Sequence, residues 1–134
     1  MGYSVWTSGR LHLPEADEAA AVAAVRAAWA AHNDRLDPGR GALAGIAWVA
    51  AASIARDGDW IACGTDGDGD AKWSDLATAF YVGLAPFVRS GTVELEGEDG
   101  ARWSYAYAGG AVTQRGRNGW DGSTEPFGDY TDEP

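Results

Sequence analysis

The alternation of apolar and polar positions is sharpest between Gly91 and Ala111, which reads GTVELEGEDGARWSYAYAGGA. Two β-prone runs, Thr92–Glu96 and Arg102–Tyr107, flank Glu98-Asp99-Gly100. An acidic pair followed by glycine between alternating runs is a strong hairpin signal. Register decides which side chains share a face. A two-residue turn at Asp99-Gly100 would set Glu94 and Glu96 beside Trp103 and Tyr105, so that each face mixes charge with large apolar groups. A three-residue loop, Glu98 to Gly100 with Gly100 left-handed and a bulge, sets Val93 and Leu95 beside Trp103 and Tyr105 instead. The opposite face then carries Glu94, Glu96, Arg102 and Ser104, with Glu96 across from Arg102. That register buries one face, wets the other and pairs opposite charges, and it is the one predicted.

The remaining elements follow from the same reading. Tyr3 to Leu13 alternates as a strand, with Val5, Thr7, Leu11 and Leu13 on one face and Trp6, Ser8, Arg10 and His12 on the other. Pro14 opens a helix from about Glu15 to Ala31, whose stripe is Val22, Val25 and Trp29 and whose first turn is acidic. His32, near the end of that helix, reads as a cap or surface residue. Asp37-Pro38-Gly39 marks a turn. Leu43, Ile46, Ala47, Ala50, Ser53 and Ile54 keep a helical period, which predicts a second helix from Ala42 to Arg56. Asp59 to Cys63 is a short strand candidate. Ser74 caps a third helix with a stripe of Leu76, Phe80, Leu84 and Phe87, which Pro86 ends early. After the hairpin, Gly109-Gly110 turns the chain into a third meander strand, Ala111–Arg115.

These elements predict an α+β fold: a two-layer sandwich in which an antiparallel sheet, built from the N-terminal strand and the C-terminal meander, carries helices on one face, in a ferredoxin-like or related arrangement. Residues 1–116 read as a single domain. Residues 117–134 read as an acidic tail containing Gly and Pro, with Trp120 and Phe127 docking on the body. A chain of 134 residues is long enough for one domain with its own core. Seven Trp, five Tyr and three Phe supply much of the core volume, with one or two Trp left exposed.

The formal net charge of −10 changes the picture of partners. Counterion release on a nucleic-acid backbone needs Lys and Arg, so neither direct nucleic-acid binding nor docking on an anionic membrane is expected. A single cysteine, Cys63, cannot form an internal disulfide, no signal-peptide pattern opens the chain and no apolar run reaches membrane-spanning length, so a cytoplasmic location is expected. Cys63 follows Ile61 and Ala62 and reads as a buried, inert thiol.

The candidate chemistry is sparse. Asp66-Gly67-Asp68-Gly69-Asp70 places carboxylates at alternate positions, as the start of a calcium loop does. The match then fails: the position that needs Gly is Ala71 and the one that needs a bidentate Glu is Ala77. Asp66, Asp68 and Asp70 are therefore a candidate calcium site of non-standard type, and no other cofactor is expected. The two histidines lie twenty residues apart, outside any metal-ligand spacing, and there is no nucleophile elbow or phosphate loop. Glu94, Glu96, Glu98 and Asp99 first suggest an acid–base pair, but the predicted register turns Glu94 and Glu96 to solvent, where nothing raises a carboxyl pKa.

Lys72-Trp73, Leu84-Ala85-Pro86 and Gly97-Glu98-Asp99-Gly100-Ala101-Arg102-Trp103-x-Tyr105, with the opening Met1-Gly2-Tyr3 and Ser8-Gly9, resemble a group of small uncharacterised proteins of actinobacteria and phages, a domain of unknown function sharing the Gly-Glu-Asp-Gly-x-Arg-Trp hairpin. The resemblance covers the N-terminal strand and residues 72–115. It implies shared architecture and carries over no catalytic residues. The expected function is that of a small acidic, non-enzymatic protein that recognises a protein partner, as an inhibitor or immunity-type factor of bacterial or phage origin would. Its candidate binding residues are Trp6, Arg10, His12, Glu94, Glu96 and Trp120, because Trp and Tyr dominate binding hot spots. The alternatives are a calcium-binding module and an enzyme of unknown class.

Overall fold

A computed structural model describes residues 2–32, 41–65 and 72–123. Strand β1 (Tyr3–His12) leads through a 3-10 turn at Glu15–Asp17 into α1 (Glu18–His32). A short helix α2 (Leu43–Ile46), continued by a 3-10 turn, precedes β2 (Ala52–Asp57) and β3 (Trp60–Thr65). Then come β4 (Lys72–Trp73), α3 (Asp75–Gly83), β5 (Ser90–Gly97), β6 (Arg102–Ala108) and β7 (Ala111–Gly116).

The seven strands form one antiparallel sheet in the order β2-β3-β1-β5-β6-β7, with β4 also paired to β1. The fold is thus α+β, as the pattern predicts. The portion β2-β3-β1-β5, with helices between β1 and β2 and between β3 and β5, has the split βαβ order of ferredoxin-like sandwiches. The meander continues that sheet by two strands. β1 lies between β3 and β5, and its inward residues Val5, Leu11 and the adjoining Leu13 are almost fully buried.

The helices cover one face of the sheet. Val25 and Trp29 of α1 and Phe80, Tyr81 and Leu84 around α3 close one core with Ile61, Val93, Leu95, Trp103, Tyr105 and Val112. The Trp29 Nε1–H donates to Leu76 O at 2.8 Å and fastens α1 to α3. An aromatic stack runs through this layer: Trp73 on Tyr81 at 6.0 Å, Tyr81 on Tyr105 at 5.3 Å, and Trp103 edge-on to Trp73 at 5.5 Å. Each fully buried side chain of this size contributes on the order of 2 kcal/mol by leaving water.

The hairpin takes the predicted register. Val93 faces Tyr105, Leu95 faces Trp103, and Glu96 faces Arg102. The Gly97 N–H donates to Ala101 O at 2.8 Å and the Gly100 N–H to Gly97 O at 2.9 Å, closing the three-residue loop. Gly100 has φ 89°, the left-handed conformation that the bulge requires. The loop acids have a structural task. Glu98 accepts from the Ser4 N–H at 2.7 Å, and the Tyr3 hydroxyl donates to Asp99 at 2.5 Å. That hydrogen bond holds the Asp99 carboxyl below its usual pKa. The Tyr3 hydroxyl occupies a slot between Gly97 and Gly119, where an added Cβ at either would stand 1.8 Å from it.

The predicted helix Ala42–Arg56 is corrected. Its first part is α2 and the 3-10 turn Ala47–Ala50; its last third falls in the edge strand β2. Ala51 takes the left-handed conformation, φ 59°, and breaks the helix. The pull is tertiary. In β2, Ala52 is buried and Ile54 and Arg56 are half-buried, while Asp57-Gly58-Asp59 turns the chain into β3. Alanine favours helix only weakly against a full strand pairing. The third helix starts at the predicted cap, where Ser74 accepts from the Leu76 N–H, and it ends at Gly83, three residues before Pro86. After β7, residues 117–123 turn back on the body: Asn118 is buried and accepts from the Trp120 N–H at 2.8 Å, and Gln114 donates to Ser123. The rest of the 117–134 segment, with Phe127, lies outside the described residues. Among the described residues no helix is long and apolar enough to cross a membrane.

Candidate functional site

Among the described residues the helices leave the other face of the sheet open, and strand alternation decides what it carries. Cross-strand pairing aligns the outward residues in rows. One row is Trp6, Glu96 and Arg102; the next is Ser8, Glu94, Ser104 and Arg115. A third holds Ala55, Ala62, Arg10, Thr92, Ala106 and Thr113, and a fourth Asp57, Trp60, His12, Ser90, Ala108 and Ala111. Five of the six candidate binding residues, Trp6, Arg10, His12, Glu94 and Glu96, therefore come together on one surface.

The surface has two parts. At one end, the His12 ring stacks on Trp60 with centroids 5.1 Å apart and planes 14° apart. Arg10 lies over the same indole at 5.3 Å and pairs with Asp57 at 3.3 Å. This is a preassembled cation–aromatic stack, and such contacts are worth about 0.5–1 kcal/mol where exposed. At the other end is a shallow groove of about 470 Å³ lined by Trp6, Ser8, Glu94, Glu96, Arg102, Ser104 and Arg115. Small Ser8 and Ser104 lie on either side of Glu94 in its row, which keeps the groove low between Trp6 and Arg115. Arg102 meets Glu96 at 3.7 Å in a solvated pair. Trp6 is 47 % exposed, a large apolar group left in water beside the charged and hydroxyl side chains of the groove.

Trp120, the sixth candidate, is elsewhere. It lies at the hairpin-tip end of the molecule against Tyr3, centroids 6.4 Å apart, and its Nε1–H donates to Asp75 at the start of α3. Three Trp are exposed, one more than expected at most: Trp6, Trp120 and also Trp48, on the 3-10 turn that replaced the predicted helix. Asp66, Asp68 and Asp70 lie outside the described residues. Among the described residues no group of three or more His, Cys, Asp or Glu is placed to hold a metal ion. Cys63 is on the inner face, and burial pushes its thiol up to about 12, as an inert core cysteine requires. Burial likewise pushes the phenols of Tyr81, Tyr105 and Tyr107 upward, so they are neutral core groups.

Arg102, Ser104, Arg115, Trp60 and Asp57 are not among the six candidate binding residues read from the sequence. Arg102 and Ser104 were within reach, since the hairpin register already put them beside Glu94 and Glu96. Arg115 follows once the same alternation is carried across Gly109-Gly110 into β7. Asp57 and Trp60 join Arg10 only through the pairing of β3 with β1, which no local pattern announces. Comparison with protein-family models, with curated proteins and with solved structures finds no match to this chain.

Proposed function

We propose that this chain is a small acidic recognition protein that works without chemistry, engaging a protein partner through the helix-free face of its sheet in the manner of an inhibitor or immunity-type factor. The observation that carries the reading is the gathering of Trp6, Arg10, His12, Glu94 and Glu96 on that one face. Trp and Arg are the residues that dominate hot spots, and the exposed Trp6 indole beside the groove is an anchor that leaves water only when a partner covers it. The Arg10–Trp60–His12 stack is already assembled without a partner, which lowers the ordering cost of contact.

The test is capture from lysate at low and moderate salt with the wild-type chain and with Trp6→Ala. A stoichiometric partner held by the wild type and lost by Trp6→Ala supports the reading. Recovery of no stoichiometric partner, or equal recovery by both chains, refutes it.

A further inference from the structure

The open face differs in charge from the rest of the molecule. Its strands carry four cationic side chains, Arg10, Lys72, Arg102 and Arg115, against three carboxylates, Asp57, Glu94 and Glu96. The whole chain is −10. A surface of near-zero charge on an acidic protein is where another acidic molecule can approach without repulsion. Within the groove the charges are also sorted by strand, although Arg10 on β1 and Lys72 on β4 stand outside that order. Both carboxylates of the groove, Glu94 and Glu96, are on β5, while both guanidiniums, Arg102 and Arg115, are on the neighbouring β6 and β7.

A groove with acids on one side of a line and bases on the other is complementary to its own two-fold image. We infer that the open face is a self-association surface whose occupant is a second copy of this chain. The two-fold axis lies between the two faces and runs along the strands, between β5 and β6. It sets β5 of each copy over β6 of the other, and β1 over β7. Glu96 then meets Arg102 of the other copy, Glu94 lies within reach of its Arg115, and Trp6 lies against the β7 end that carries that same guanidinium. The small residues Ser8, Ser104, Thr92 and Ala106 in the overlapped rows allow the two sheets to approach to the roughly 10 Å of face-to-face packing.

The four overlapping strands span about 19 Å across and about 20 Å along. That is a small overlap beside the roughly 800 Å² per partner of a standard interface, so the dimer is weak and forms at high protein concentration. The inference rests on the recognition reading of the same face. It adds that a foreign partner must displace the second copy.

The experiment is sedimentation equilibrium on the wild type and on two charge-reversed double variants, Glu94→Lys/Glu96→Lys and Arg102→Glu/Arg115→Glu, each checked for native circular dichroism. All four side chains are exposed strand residues, so the fold is expected to persist. The wild type should form a dimer that weakens as salt rises. Each variant alone should associate at least about tenfold more weakly, and their equimolar mixture should form a heterodimer, since opposite columns then meet again. A wild type that stays monomeric at about 1 mM, or variants that fail to pair when mixed, overturns the dimer. If the wild type is monomeric and Trp6→Ala still loses the captured partner, only the dimer falls and the recognition reading stands. If single-stranded oligothymidylate binds the wild type and not Trp6→Ala, the face serves nucleic acid and both readings fall.

Discussion

Replacing Glu18 by Gln tests how the Ala42–Arg56 segment, which sequence pattern reads as one helix, is held to the rest of the fold. Glu18 opens α1. One of its carboxylate oxygens pairs with Arg56 and the other accepts the Leu43 N–H at 2.9 Å. Arg56 in turn donates to Leu13 O at 2.5 Å and to Gly58 O at 3.2 Å. One ion pair thus ties together the end of β1, the start of α1, the start of α2 and the β2–β3 turn. The two side chains are 22 % and 18 % exposed, so solvent screens the pair only in part. Gln keeps the shape and one acceptor but removes the charge, leaving Arg56 half-buried without its counter-ion. A hydrogen bond to a charged group contributes about 1.5–3 kcal/mol, so the expected loss at neutral pH is about 2 kcal/mol.

The pH dependence gives a second check on the same variant. Burial pushes the Glu18 pKa up, but the Arg56 hydrogen bond, the Leu43 N–H and the Arg56 charge together hold it below the usual carboxylate value. A folded pKa below the unfolded one means stability that is fully present above the unfolded value and lost as pH falls through the folded value. The wild type should therefore lose its advantage over Glu18→Gln in acid, because both side chains are then neutral. Urea unfolding followed by tryptophan fluorescence measures the difference at each pH. A loss under about 0.5 kcal/mol at neutral pH, within the range of ordinary surface substitutions, would refute the reasoning. So would a loss that is the same in acid.

Two further outcomes follow from the sheet. Gly91→Ala should destabilise by about 2 kcal/mol, because Gly91 has φ 122° and an added Cβ would stand 2.4 Å from Arg10 O of the neighbouring strand; equal denaturation midpoints would show that β1 and β5 give way there. Cys63 should be silent to a disulfide-exchange reagent at mildly alkaline pH in the native chain and react stoichiometrically in urea, since its thiol is buried and pushed up to about 12; rapid native labelling would count against the inner-face placement.

Much of the sheet's design is legible in the chain alone. The two faces of β1, the hairpin register with Gly100 left-handed, the Ser74 cap and the early stop before Pro86 all follow from period, turn chemistry and capping. Each involves residues only a few positions apart, and steric and hydrogen-bonding rules decide at that range. The site was legible to the extent that it lies on those strands: Trp6, Arg10, His12, Glu94 and Glu96 are outward on the alternation alone.

Only the tertiary structure decided the rest. Ala42 to Arg56 has the composition and period of a helix, yet its last third is in β2, because pairing with β3, burial of Ala52 and partial burial of Ile54 outweigh a propensity difference of a few tenths of a kcal/mol per residue. The position of β1 between β3 and β5 is likewise a long-range outcome. It brings Trp60 and Asp57 from one side, and Arg102 and Arg115 from the other, to the same surface as Trp6 and Glu94. Local pattern says which way each of these side chains points. Which of them become neighbours depends on strand order, and strand order is set by how the distant apolar faces close over one core.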